Sequence, residues 1–182
     1  MKKKNFIFKT APLVIFGGGV HQLPYVQFCR KKKISTIVVD QNINCVAKKF
    51  ADYVLNIKTV NSESLIIFNK IKSITKKTGV AGVLVAGVEL SVLGAYIAKK
   101  FKTKGIDPLI AEDSTNKIKR VIKLKKNKIP IPRFKIIKKI ESIKSKFPFV
   151  LKTEYGSGAR SVRIISSKID LISAKNEFSK FK

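Results

Sequence analysis

Leu13-Val14-Ile15-Phe16-Gly17-Gly18-Gly19 is the stretch on which the reading of the fold turns. Four consecutive apolar residues without polar alternation predict a strand buried on both faces, and the three glycines that follow predict a tight turn at its end. Outward from it, residues 20–32 carry helical spacing, interrupted early by Pro24. Residues 34–39 form a second apolar run that ends at Asp40, and residues 44–50 are short enough for one or two helical turns. Residues 53–57 predict a third strand. Leu65, Ile66, Phe68, Ile71 and Ile74 recur at helical spacing within 62–78, with Asn61 or Ser62 as the expected N-cap. Residues 83–86 predict a fourth strand and 89–101 a further helix. Apolar strands alternating with helices are the signature of a parallel sheet covered on both faces. Residues 1–108 are therefore expected to form a Rossmann-like α/β domain.

The texture changes at Asp107-Pro108. Residues 109–132 read as a connection: a helix over about 112–127, then Ile129-Pro130-Ile131-Pro132, an extended linker, because proline removes the backbone donor and pushes its predecessor out of the helical region. Residues 133–182 read as a small α+β unit. Its expected parts are a strand over 133–137, a short helix over 140–146, the strand Phe149-Val150-Leu151-Lys152, a loop with Gly156 and Gly158, a returning strand over 161–165 with Val162 and Ile164 on one face, and a last helix over 168–182. So short a unit buries little apolar surface alone. It is expected either to pack on the first domain or to be part of a larger fold.

Composition restricts the partners. Lys and Arg number 39 against 11 Asp and Glu, for a net charge of +28. Such a balance points to polyanions. Arginine, however, stands only at positions 30, 120, 133, 160 and 163, and the lysines are spread along the chain. Base and phosphate readers favour the arginine fork. The lysines therefore read mainly as a solvated surface, with salt-sensitive, nonspecific polyanion binding and no specific nucleic-acid partner. Cys29 and Cys45 make no CxxC pattern, and His21 is the sole histidine, so no metal site is expected. The N-terminal apolar stretch is broken by Lys9 and Pro12, and no run approaches the roughly 18 apolar residues of a membrane helix. A soluble, cytoplasmic protein is expected.

Two segments carry candidate chemistry. Gly17-Gly18-Gly19 lies where a strand end meets a helix N-terminus, a place suited to anions. The spacing is GGGVHQLP, with Gln22 where a dinucleotide fingerprint has its third glycine, so a tight βα turn is the better reading than NAD binding, with Asp40 as a ribose ligand the weaker alternative. The second segment is Lys152 at the end of a strand, followed by Glu154-Tyr155-Gly156-Ser157-Gly158-Ala159-Arg160-Ser161. A lysine charge beside a Gly/Ser loop whose N–H groups can fold over oxygens makes a phosphate clamp, although such a loop taken alone is more often only a hairpin turn. Walker A spacing is absent.

In order along the chain come Gly17-Gly18-Gly19-Val20-His21-Gln22-Leu23-Pro24, Val39-Asp40-Gln41-Asn42, Ala51-Asp52-Tyr53, Thr115-Asn116-Lys117, Ile129-Pro130-Ile131-Pro132-Arg133-Phe134, Phe147-Pro148-Phe149-Val150-Leu151-Lys152 and Gly156-Ser157-Gly158-Ala159-Arg160-Ser161-Val162. With this ordered set the sequence resembles the ATP-grasp superfamily, carbamoyl-phosphate-synthase-like and related carboxylate–amine ligases, in their N-terminal portion. The resemblance implies a preATP-grasp Rossmann-like domain followed by the first subdomain of an ATP-grasp fold. It implies a ligase in which ATP phosphorylates a small carboxylate and an amine-type nucleophile attacks the acyl phosphate. It implies Lys117, Lys152 and the loop Gly156, Ser157, Gly158, Ala159, Arg160 and Ser161 as ATP-binding residues, and the turn Gly17, Gly18, Gly19, His21 and Gln22 on the substrate side. Mg2+ is implied as well, with ligands expected outside this chain, since the family places them later than residue 182. The chain is accordingly expected to need a missing C-terminal half or a second copy, and to turn over weakly or not at all alone. Tyr155, Ala159 and Ser161 depart from the family's glycine-rich run and imply a stiffer loop. The alternatives are a non-catalytic nucleotide-binding module and, last, a nucleic-acid binder.

Overall fold

The computed structural model describes residues 8–156 and 162–178. The chain divides into two compact units, Met1–Ala111 and Glu112–Lys182.

In the first unit, β1 (Leu13–Phe16), β2 (Thr36–Asp40), β3 (Tyr53–Asn56) and β4 (Gly82–Val85) form a parallel sheet in the order β3-β2-β1-β4. β1 is central because it is apolar throughout and can be buried on both sides. Its register pairs Phe16 with Val39 on one side and with Val85 on the other, so three strands end level at one edge. Successive side chains alternate between faces. Val14, Phe16, Ile37 and Val39 meet Ile67 and Ile71 of α2 (Ser64–Ile74) and Leu93 and Ile97 of α3 (Ser91–Lys100). Ile15 and Val38 meet Val26 and Cys29 of α1 (Leu23–Lys31), with Cys45 and Ala47. Each large side chain buried in this way contributes about 1.5–3 kcal/mol of transfer free energy. The expected doubly covered parallel sheet is what the structure shows.

Local expectations differ in three places here. Residues 44–50 give only a 3-10 turn, Val46–Lys49. The helix expected over 62–78 is preceded by a 3-10 turn, Asn61–Glu63, so Glu63 rather than Asn61 or Ser62 stands at the N-cap. α2 stops at Thr75, whose hydroxyl turns back to donate to the Ile71 carbonyl at 2.8 Å.

In the second unit, α4 (Pro108–Thr115), which begins just before the boundary, is followed by α5 (Lys117–Lys126). The single helix expected over 112–127 is thus two, because Asn116 leaves the helical region (φ −77, ψ 114) to cap the second. β5 (Phe149–Lys152) and β6 (Val162–Ile165) form an antiparallel pair that pairs Val150 with Ile164 and Lys152 with Val162. Residues 133–137 are not a third strand: they run as unpaired chain, and Ile137 is used instead to pack against the core. Residues 140–146 supply only a 3-10 turn, Ile140–Ser142. One face of the hairpin carries Leu151 and Ile165, buried with Ala174 of α6 (Lys168–Phe178). The other face leaves Val150 56% and Ile164 71% exposed. No described helix is long and apolar enough to cross a membrane.

Candidate functional site

The glycine turn closes on itself. Gly17 adopts φ +87, a left-handed conformation that glycine takes without strain. Its N–H donates to the Val39 carbonyl at 2.9 Å. The Gly18 N–H donates to Asp40 Oδ2 at 2.7 Å, and the Gly19 N–H to Gln22 Oε1 at 3.2 Å. Gln22 is buried, and its Nε2 reaches across to donate to the Ala86 carbonyl after β4. The second Asp40 oxygen accepts from the Asn42 N–H at 2.7 Å. All three turn amides therefore have internal partners, and Asp40 spends both oxygens on backbone. A dinucleotide site needs those amides free for phosphate. This arrangement favours the structural-turn reading over NAD binding. His21 lies exposed beside this turn, its Cβ close against Gly87.

A second assembly forms in the other unit. Asn116 has no exposed surface. Its Oδ1 accepts from the Lys119 N–H at 2.9 Å, which caps α5, and its Nδ2 donates to Glu154 Oε1 at 2.5 Å. The Lys117 N–H donates to the Glu154 carbonyl at 3.0 Å. The Lys117 ammonium donates to the Gly156 carbonyl at 2.6 Å. The start of α5 and the chain leaving β5 are thus tied together at three points, although the residues lie 37 to 39 positions apart. Of the residues expected to bind ATP, Lys117 and Gly156 are brought into contact. Lys152 is exposed at the end of β5, on the hairpin face that also holds Val150 and Ile164. Ser157, Gly158, Ala159, Arg160 and Ser161 lie outside the described residues.

The first turn of α5 contains no acidic residue, while Lys117 and Lys119 stand in it. A helix N-terminus already carries partial positive charge, so this end of the helix is electropositive. Glu112 meets Lys119 at 2.6 Å, and Asp113 meets Lys123, which braces α5 from the preceding residues. The Glu112 hydrogen bond holds the Lys119 ammonium above the usual lysine range. Among the described residues, the acidic groups of this unit named here are engaged: Glu112 and Asp113 with lysines, Glu154 with Asn116, Asp170 with the Ser166 N–H and Glu177 with Arg163. Among the described residues, no group of three or more His, Cys, Asp or Glu could hold a metal ion. The lysines and the backbone of this assembly fit a phosphate; its carboxylates do not fit Mg2+, which needs free oxygen ligands.

The sequence reading missed Asn116 as a buried cap and Glu154 as its partner. An Asn directly before a basic helical run is a recognisable N-cap signal. Nothing local points from it to residue 154.

No protein-family model matches the sequence, and neither does any curated protein. Solved structures do. N5-carboxyaminoimidazole ribonucleotide synthetase from Thermotoga maritima is 26% identical, with TM-score 0.60 over 90% of this chain and 43% of its own. L-amino acid ligase from Bacillus licheniformis matches with TM-score 0.72 at 14% identity, over 94% of this chain and 43% of its own. N5-carboxyaminoimidazole synthetase from Staphylococcus aureus, solved with ADP, matches with TM-score 0.69 at 16% identity, over 97% of this chain and 47% of its own. This chain therefore spans less than half the length of these solved chains. The likeness to carbamoyl-phosphate synthase extends no further than the shared superfamily. The fold of this chain is that of the N-terminal portion of the ATP-grasp carboxylate–amine ligases.

Proposed function

We propose that this chain is the nucleotide-handling N-terminal portion of an ATP-dependent ligase that activates a small carboxylate as an acyl phosphate for attack by an amine-type nucleophile. The observation that carries the reading is the 2.6 Å contact of the Lys117 ammonium with the Gly156 carbonyl, on an ATP-grasp fold. It brings the lysine that the motif order implies for phosphate to the first leg of the glycine loop. Phosphoryl transfer asks mainly for positioning and charge neutralisation. Lys117 and Lys152 supply positive charge, and the loop from Gly156 through Ser161 supplies backbone donors. The turn at Gly17, Gly18, Gly19, His21 and Gln22 shapes the substrate side. Mg2+ supplies further neutralisation when bound, with ligands from outside this chain, in a C-terminal half or a second copy. The setting is the cytoplasm. The engagement of the nearby carboxylates favours one second reading, a module that binds nucleotide without turning it over.

The experiment is a melting shift with ADP, ATP, NAD and inorganic triphosphate, repeated at low and high salt. A ligand at 100 times its Kd stabilises a fold by about 2.7 kcal/mol. ADP and ATP are expected to raise the melting temperature at high salt, NAD is not, and Lys117→Ala and Lys152→Ala are expected to remove the shift. Triphosphate matching ADP at every salt concentration, with both lysine variants unchanged, refutes the reading and leaves only polyanion binding by a +28 chain.

A further inference from the structure

We infer that Asn116 and Glu154 are positioning residues for the nucleotide, a latch that fixes the first leg of the glycine loop against the N-terminus of α5. The inference rests on the proposed nucleotide site. Asn116 is fully buried and uses both ends of its amide: Oδ1 caps α5 through the Lys119 N–H, and Nδ2 holds Glu154 Oε1. Glu154 returns a second tie, its carbonyl accepting from the Lys117 N–H at 3.0 Å. These two ties set the height at which Gly156 passes Lys117, and so the place from which the ammonium reaches its carbonyl at 2.6 Å. A hydrogen bond from a buried amide to a carboxylate is stronger than one between neutral groups, because the acceptor is ionised. Asparagine suits the position because it accepts for the cap and donates to the carboxylate at once.

This division of labour makes the two roles separable. Asn116→Asp keeps the cap, since aspartate accepts from the Lys119 N–H as well as asparagine does. It removes the donor and sets two carboxylates against each other across a 2.5 Å contact. Glu154→Gln in the same chain restores a donor and an acceptor with the direction reversed.

The test reads two things on the full chain. Amide hydrogen exchange without nucleotide follows the Lys117 N–H, which reports the latch, and the Lys119 N–H, which reports the cap. Calorimetry follows ADP affinity. Asn116→Asp is expected to speed exchange at Lys117, leave Lys119 protected, and weaken ADP by about tenfold or more, the loss of one charge-assisted hydrogen bond. The double variant is expected to restore both readouts. Unchanged Lys117 exchange in Asn116→Asp overturns the latch. Faster Lys117 exchange with unchanged ADP affinity overturns the positioning role alone. A wild-type chain with no ADP affinity overturns the nucleotide site itself, and the positioning role falls with it, while the exchange data still decide whether the latch exists.

Discussion

A methyl group added at Gly18 has no room. A Cβ there would stand 2.4 Å from Cys45 Sγ, 2.8 Å from Cys45 Cβ and 3.0 Å from Val38 Cγ1. Comfortable carbon contacts lie at about 3.5–4.0 Å. Neither neighbour is free to swing aside. Val38 is buried within β2, and Cys45 is buried next to the turn whose Ala47 N–H donates to the Gly18 carbonyl at 2.9 Å. Overpacking of this kind costs about 1–3 kcal/mol, and three simultaneous conflicts place Gly18→Ala near the top of that range. The stiffer unfolded chain returns roughly 0.4–1 kcal/mol. The net expectation is a loss of about 2 kcal/mol in urea denaturation, with an unchanged slope against denaturant. Cys45→Ala relieves the sulfur conflict but leaves the Cβ in place, so the double variant is expected to recover about 1 kcal/mol of coupling in a mutant cycle. Gly18→Ala within about 0.5 kcal/mol of the parent, the ordinary scatter of surface substitutions, would refute the close packing of Gly18 against Cys45 and Val38.

Two further outcomes are expected. Burial pushes both thiols up, helped by the charge of Asp52 at Cys29 and of Asp40 at Cys45, so a thiol reagent should label neither cysteine in the native chain and both in urea; rapid native labelling contradicts the packing. The Ser166 N–H, with help from the Ser167 hydroxyl, holds the Asp170 carboxyl below the usual aspartate range. A group whose folded pKa is depressed stabilises the fold above its unfolded pKa and loses that effect as pH falls through the folded value. NMR of the Ser166 and Asp170 amides should therefore show the start of α6 loosening only below the ordinary aspartate range, and Asp170→Asn should abolish the acid dependence.

Most of the first unit was legible because its signals are local. Leu13-Val14-Ile15-Phe16, the 34–39 run and the 83–86 run are apolar on both faces, which only a covered parallel sheet accommodates. In the second unit, distant residues decide where elements begin and end, and local sequence carries no mark of them. The break at Asn116 separates two segments whose residues would all suit one helix, and its partner Glu154 lies 38 residues on. Residues 133–137 have strand composition but pair with no described strand, and Ile137 packs against the core instead. For the candidate site, Lys117, Lys152 and the glycine loop came from the ordered motifs. The carboxylate that ties the loop to α5 did not, since a lone Glu in a loop has no pattern to mark it.

Gln22 sets a limit on redesign. Restoring a dinucleotide fingerprint by Gln22→Gly would complete the spacing on paper, yet the amide being removed is the strut between two strand ends. Without it the Gly19 N–H and the Ala86 carbonyl lose their partner together. A cofactor phosphate could replace the lost acceptor at Gly19 but offers no donor to Ala86. Grafting such a site onto this scaffold would have to rebuild the end of β4 at the same time as the turn after β1.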